Sequence, residues 1–182
     1  FDQLKEQITA VSKDIEQQER YLCDAKIRME MDLPHYSDAN FTMRLSYGQV
    51  KNLNVGGKPA GYYTTAESIV EKMKNGDKFV DYYAEPIMHE LMGAKDFGKY
   101  ADKTTGKMQL CFLTNNDITG GNSGSPMFDG NGNLLGLAFD GNWDSLSSDI
   151  HFDRVLARCI GVDIRYMLRS EERRVGQEVR SR

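Results

Sequence analysis

The hydrophobic period of this chain changes from 3.6 to 2 close to Asn40, and that change limits the folds open to it. Before it, Leu4, Ile8, Val11, Ile15, Leu22, Ala25 and Met29 recur at spacings of three, four and seven, with charged residues between them. This pattern predicts an amphipathic helix of about seven turns, ended by Pro34. Its stripe needs a cover, either a packed domain or a coiled-coil partner. After the change, Phe41, Met43, Leu45 and Tyr47 alternate with Thr42, Arg44 and Ser46, as in a half-buried strand. Gly56-Gly57 marks a turn, and Gly61 to Thr64 reads as a second strand. Thr65 can cap a helix over Ala66 to Lys74, and Glu85 to Met92 reads as another short helix. Met108 to Leu113 is a further strand. Ser125 to Phe128 and Leu134 to Phe139 flank Asp129-Gly130-Asn131-Gly132, a strong hairpin signal. Val162 to Leu168 reads as a terminal helix. The sum is mainly β with α: a helical segment joined to a β-barrel.

Composition narrows the function classes. At 182 residues the chain can form one domain or parts of two, and 40% apolar with 27% charged is ordinary for a globular protein. No apolar run approaches the roughly 18 residues of a membrane span. A net charge of −4 without a basic stripe argues against a nucleic-acid partner. The chain starts at Phe1 inside a helical pattern, which says nothing about targeting. Cys23, Cys111 and Cys159 lack metal-type spacing and are expected to be separately buried thiols.

Residues 169–182 read RSEERRVGQEVRSR, without an apolar period. They resemble the conceptual translation of a common sequencing adapter, RSEERRVGKECRSR, differing at Gln177 and Val179. They are expected to be an adapter-derived, non-native tail, so the fold expectation ends at Leu168.

The stretch that carries chemistry is Thr119-Gly120-Gly121-Asn122-Ser123-Gly124-Ser125-Pro126. A serine hydroxyl is a weak nucleophile until a base takes its proton, and the oxyanion formed by its attack needs donors already aimed at it. Glycines on both sides let the backbone turn tightly enough for the amides of Gly121 and Ser123 to point at one oxygen. The bland alternative is a plain loop before a strand. The order of residues resembles the nucleophile loop of chymotrypsin-like peptidases, which makes Ser123 the candidate nucleophile and Gly121 an oxyanion-hole amide. Asn122 stands where trypsin-like enzymes carry an aspartate, so activation through an ion pair with a new N-terminus is not expected. His35, His89 and His151 do not precede the serine in the context a triad base requires, and each reads as structural. The chain alone is therefore expected to be inactive.

Three longer matches sharpen this. Asn115 to Pro126, Gly136-Leu137-Ala138-Phe139-Asp140-Gly141-Asn142-Trp143 and Val162-Asp163-Ile164-Arg165-Tyr166 resemble the bacterial dipeptidyl-peptidase 7 and 11 family, and Asp38 to Thr42 and Tyr100 to Lys103 also fit. The resemblance implies a chymotrypsin-like double barrel with an inserted helical domain. Residues 1–36 would be the end of that insertion, and residues 37–168 the C-terminal barrel with the nucleophile. It implies periplasmic, cell-surface or secreted exopeptidases that release dipeptides from peptide N-termini, with no cofactor and no metal. Peptides are the expected partners, and a homodimer of the full-length protein is compatible with it.

By the same resemblance, Asp140 holds the substrate's N-terminal amine. Gly141 belongs to the S1 pocket, where the acid-specific branch has an arginine; glycine is expected to leave that space open and uncharged, favouring apolar P1 residues. Phe139 is either an S1 wall or a core residue. Asp117, six positions before Ser123, keeps a basic P1 preference open. The alternatives are a trypsin-like endopeptidase, a non-catalytic pseudo-peptidase that binds peptides, and a leading helix that serves as an oligomerisation coil.

Overall fold

A computed structural model describes residues 2–32, 42–74, 81–148 and 150–180, and the chain divides into two units, Phe1–Asn40 and Phe41–Arg182. The first unit is one helix, α1 (Asp2–Met29), free of glycine and proline, with Asp2 in its first turn and Lys26 and Arg28 in its last, as the helix dipole favours. None of its residues is buried, and Leu4, Ile8, Val11 and Ile15 of the expected stripe are each more than half exposed. Pro34, His35 and the start of the expected strand at Phe41 lie outside the described residues.

The second unit opens with a hairpin of β1 (Asn54–Val55) and β2 (Lys58–Pro59), turned by Gly56 and Gly57 at φ of 57° and 77°. Only glycine takes such angles freely at both positions. The main sheet contains β3 (Tyr63–Thr65), β4 (Gln109–Thr114), β5 (Pro126–Phe128), β6 (Leu134–Gly141) and β7 (Cys159–Asp163). Its order is β3-β4-β7-β6-β5, with antiparallel neighbours throughout. Helix and antiparallel sheet are mixed as expected, but among the described residues the sheet is open rather than closed into a barrel. Its edges, β3 and β5, are three residues each.

Helix α2 (Ala66–Lys74) starts where Thr65 predicts, and the Thr65 side chain bonds the Glu67 carboxylate and holds its pKa low. Helix α3 (Pro86–Ala94) begins on proline and ends at Lys95 in the left-handed region, φ 53°. The apolar core lies between these helices and β4: Ala66, Met73, Met92, Phe97, Met108 and Leu110, with Tyr166 packed against it. Tyr166 comes from α4 (Ile164–Arg180), which Asp163 caps through its carboxylate and the Arg165 amide at 2.8 Å. The expected helix from Val162 therefore starts two residues later, because Val162 and Asp163 finish β7. α4 continues through the arginine-rich segment, whose Arg and Glu residues extend any helix that precedes them. Arg169 is buried and pairs with Asp96 at 2.8 Å.

Two other expectations need correction. The alternation over residues 42–47 is not a strand, and its apolar members face outward: Met43, Leu45 and Tyr47 are at least 81% exposed. Among the described residues, Gln49 accepts from the Asn115 amide at 3.0 Å through its carbonyl, and a bridge follows at Val50–Thr114. An extended segment becomes a strand only where a neighbour completes its ladder. Nor are all three thiols buried. Cys23 on α1 is exposed, while Cys111 is partly and Cys159 fully covered.

The centre of the sheet is set by two glycines. The Phe112 ring lies across Gly161, its register partner on β7, and Gly136 on the next strand. A methyl group at Gly136 would strike the Val162 carbonyl oxygen and reach the Phe112 ring at 2.9 Å. Gly136→Ala is expected to cost about 3 kcal/mol in chemical denaturation, the upper part of the usual range for overpacking. Gly93, whose missing side chain would meet nothing within 4 Å, should tolerate alanine and even gain stability in its helix.

Candidate active site

The nucleophile loop joins β4 to β5. Within Gly121–Ser125, three amides are used inside the protein: Asn122 to the Thr119 carbonyl at 3.2 Å, Gly124 to Ala138 at 2.7 Å and Ser125 to Asn122 at 3.0 Å. The amides of Gly121 and Ser123 donate to no acceptor among the described residues. Gly121 at φ 88° and Gly124 at φ 85° take left-handed angles that glycine adopts freely, which lets the loop turn this tightly. The Asn122 amide group donates to the Thr119 carbonyl at 2.8 Å, which stiffens the loop from inside.

Strand β6 presents the second half of the site. The Gly124 amide bonds Ala138 at 2.7 Å and the Ala138 amide returns a bond to Ser125 at 2.8 Å, so loop and strand run side by side. The β6–β7 register then slips between Ala138 and Asp140, leaving Phe139 as an extra residue. Such a bulge turns the strand and re-aims its side chains. The Ser123 hydroxyl donates to the Phe139 carbonyl at 3.2 Å, and Phe139 is 59% exposed. Phe139, read from sequence as either core or pocket wall, is thus exposed in this unit.

Asp140 is exposed next to this carbonyl, and one carboxylate oxygen accepts from the Gly141 amide at 2.8 Å. Gly141 closes β6 opposite Cys159. Contrary to expectation, the space beside Gly141 is not open, because a side chain built there would collide with the Ser145 hydroxyl. Asp117 is buried, and the Ser46 hydroxyl donates to its carbonyl at 2.7 Å. Burial, followed by bonds to Thr114 and Asn116 that oppose it and by the Asp117 charge, leaves the Cys159 thiol with a raised pKa. This puts Asp117 in the interior near β7. His89 on α3 and His151 are both exposed, and neither bonds Ser123.

A profile of the peptidase S46 family matches residues 2–173. The chain belongs to the peptidase S46 family. Among its relatives is "Dipeptidyl-peptidase 7" of Phocaeicola vulgatus, 54% identical over 136 residues that cover 74% of this chain and 18% of that protein. "Asp/Glu-specific dipeptidyl-peptidase" of Capnocytophaga gingivalis is 42% identical over 176 residues, 92% of this chain and 22% of that one. A crystal structure of Porphyromonas endodontalis DPP11 with the dipeptide Arg-Glu superposes with a TM-score of 0.66 at 34% identity, covering 80% of this chain and 21% of that one. The chain thus spans about a fifth of the length of the S46 proteins it matches.

In this S46 chain the fold places the sequence candidates Gly121 and Ser123 on the β4–β5 loop and Asp140 and Gly141 at the end of β6. Sequence reasoning missed Asn142 and Ser145. The Asn142 amide bonds the Arg158 carbonyl at 2.9 Å, and its side chain bonds the Leu156 carbonyl at 2.9 Å and the Arg158 amide at 2.7 Å. The signal was there as an asparagine followed three residues later by a serine, a spacing suited to a side-chain-stabilised turn.

Proposed function

We propose that this chain is the C-terminal part of a serine dipeptidyl-peptidase that removes dipeptides from free peptide N-termini, preferring apolar P1 residues. The observation that carries the reading is the pair of unengaged amides at Gly121 and Ser123, which flank a serine whose hydroxyl is tied only to the Phe139 carbonyl. In this reading Ser123 attacks the scissile carbonyl. Its proton passes to a histidine supplied by another part of the full-length protein, and the oxygen takes up negative charge toward the two amides. The Asp140 carboxylate receives the substrate's ammonium, which fixes the cut two residues in. Gly141 and Phe139 border the P1 side chain.

Residues 37–168 would be the second barrel of a chymotrypsin-like pair, closed by strands from elsewhere in the protein, with residues 1–36 ending an inserted helical domain. The exposed apolar stripe of α1 supports a helix that packs within such a domain. Residues 169–182 are read as an appended tail on their likeness to the adapter translation alone, although the family match runs on to residue 173 and Arg169 pairs with Asp96. The protein acts in the periplasm or at the cell surface, without a cofactor.

The test is to incubate the full-length protein with a peptide bearing an apolar second residue and to identify products by mass spectrometry. Sequential dipeptides are expected from the free N-terminus and none from the N-acetylated peptide. Cleavage of both at internal bonds would replace this reading with an endopeptidase, and binding without cleavage would leave a pseudo-peptidase.

A further inference from the structure

The missing side chain of Gly141 points at Ser145. A Cβ there would meet the Ser145 hydroxyl oxygen first and the Ser145 Cβ at 3.1 Å. The hydroxyl therefore stands where a side chain from position 141 would begin. We propose that positions 141 and 145 form one coupled determinant of P1 selectivity, with the Ser145 hydroxyl closing the pocket wall at the place a residue-141 side chain would fill. The proposal rests on the reading of Gly141 as part of the P1 pocket.

Ser145 cannot easily be pushed aside. Its hydroxyl and its amide both donate to the Asn142 carbonyl, at 2.6 Å and 2.9 Å. Asn142 is itself fastened to the chain before β7, through Leu156 and Arg158, and also bonds the Asp144 carboxylate at 3.1 Å. The buried Arg158 guanidinium then holds three carbonyls, donating to Asn52 at 2.9 Å, Ala157 at 2.7 Å and Arg154 at 3.4 Å. The turn over residues 142–147 is thus clamped from below, and a side chain added at 141 meets a fixed wall. Two consequences follow. An arginine at 141 cannot reach a P1 carboxylate while Ser145 stands in its path. Removing the Ser145 side chain instead deepens the pocket for larger apolar residues.

The experiment uses the full-length protein with dipeptidyl substrates carrying Ala, Leu, Phe or Glu at P1. Gly141→Ala is expected to lower kcat/KM for Leu at P1 about tenfold or more, and Gly141→Ala/Ser145→Gly to recover most of that loss, since one misplaced methyl group in a pocket is worth at least that factor. Ser145→Gly alone, which adds no bulk and so does not depend on the tolerance of the fold, should raise the Phe-to-Ala ratio about fivefold or more by the same argument. Gly141→Arg should cleave Glu substrates only when combined with Ser145→Gly. A double variant no better than Gly141→Ala in either kcat/KM or unfolding midpoint, or an unchanged P1 ranking in Ser145→Gly, overturns the proposal. A wild type that cuts only internally removes the dipeptidyl reading, and the P1 ranking at internal sites then decides this one. A wild type without peptidase activity overturns both.

Discussion

Ser123→Ala in the full-length protein is expected to reduce kcat by about a millionfold, the loss seen when a serine peptidase is deprived of its nucleophile alone. The fall should be confined to chemistry. Ser123 is exposed and its hydroxyl makes a single 3.2 Å bond to the Phe139 carbonyl, so the unfolding free energy should change by less than about 0.5 kcal/mol. Substrate affinity should also survive, since the Gly121 and Ser123 amides come from the backbone. Active-site titration with an organophosphate, followed by peptide mapping, checks the same point by placing the label on the Ser123 peptide of the wild type. A variant that keeps more than a few per cent of the activity would mean that another residue attacks.

Asp140→Ala should produce the second largest effect, and a selective one. Removing one partner of a charge pair that is desolvated when substrate binds costs about 2–5 kcal/mol, or roughly 30-fold to 5,000-fold in kcat/KM for peptides with a free amine. Asp140→Asn keeps an oxygen for the 2.8 Å bond from the Gly141 amide but gives up the charge. It should fall nearly as far, separating the ion pair from the local turn. Loss of discrimination between free and acetylated peptides is the signature to look for. If both variants cleave the free peptide as well as wild type does, Asp140 is only a turn residue.

The position of these residues explains why their local backbone could be read in advance. Both Ser123 and Asp140 sit in short stretches whose local backbone is specified by local residues: glycines at left-handed angles around the serine, and a strand ending in Asp-Gly. The bulge at Phe139 could not be read, because it exists only relative to the register with β7. Nor could the filling of the space beside Gly141, since a glycine in a sequence announces the absence of a side chain but not what stands in its place. Ser145 takes that place because Asn142 reaches across to residues 156–158.

The same division holds for the fold. The sequence by itself determined the leading helix, the cap at Thr65, the Gly56-Gly57 turn and the hairpin around Asp129, because each depends on period or turn chemistry within a few residues. Tertiary structure decided β7, in which the strand-favouring Ile160 and Val162 are interrupted by Gly161 and followed by Asp163. It is a strand because β4 and β6 complete its ladder on both sides and the Phe112 ring demands a glycine at 161. Tertiary structure also decided against a strand at residues 42–47, where the alternation is as regular as anywhere in the chain. Alternation selects which side chains share a face. Only a neighbouring backbone, free to exchange hydrogen bonds, turns that face into a sheet, and among the described residues the strand pairing of this stretch is the bridge at Val50–Thr114, beside the Asn115 to Gln49 bond.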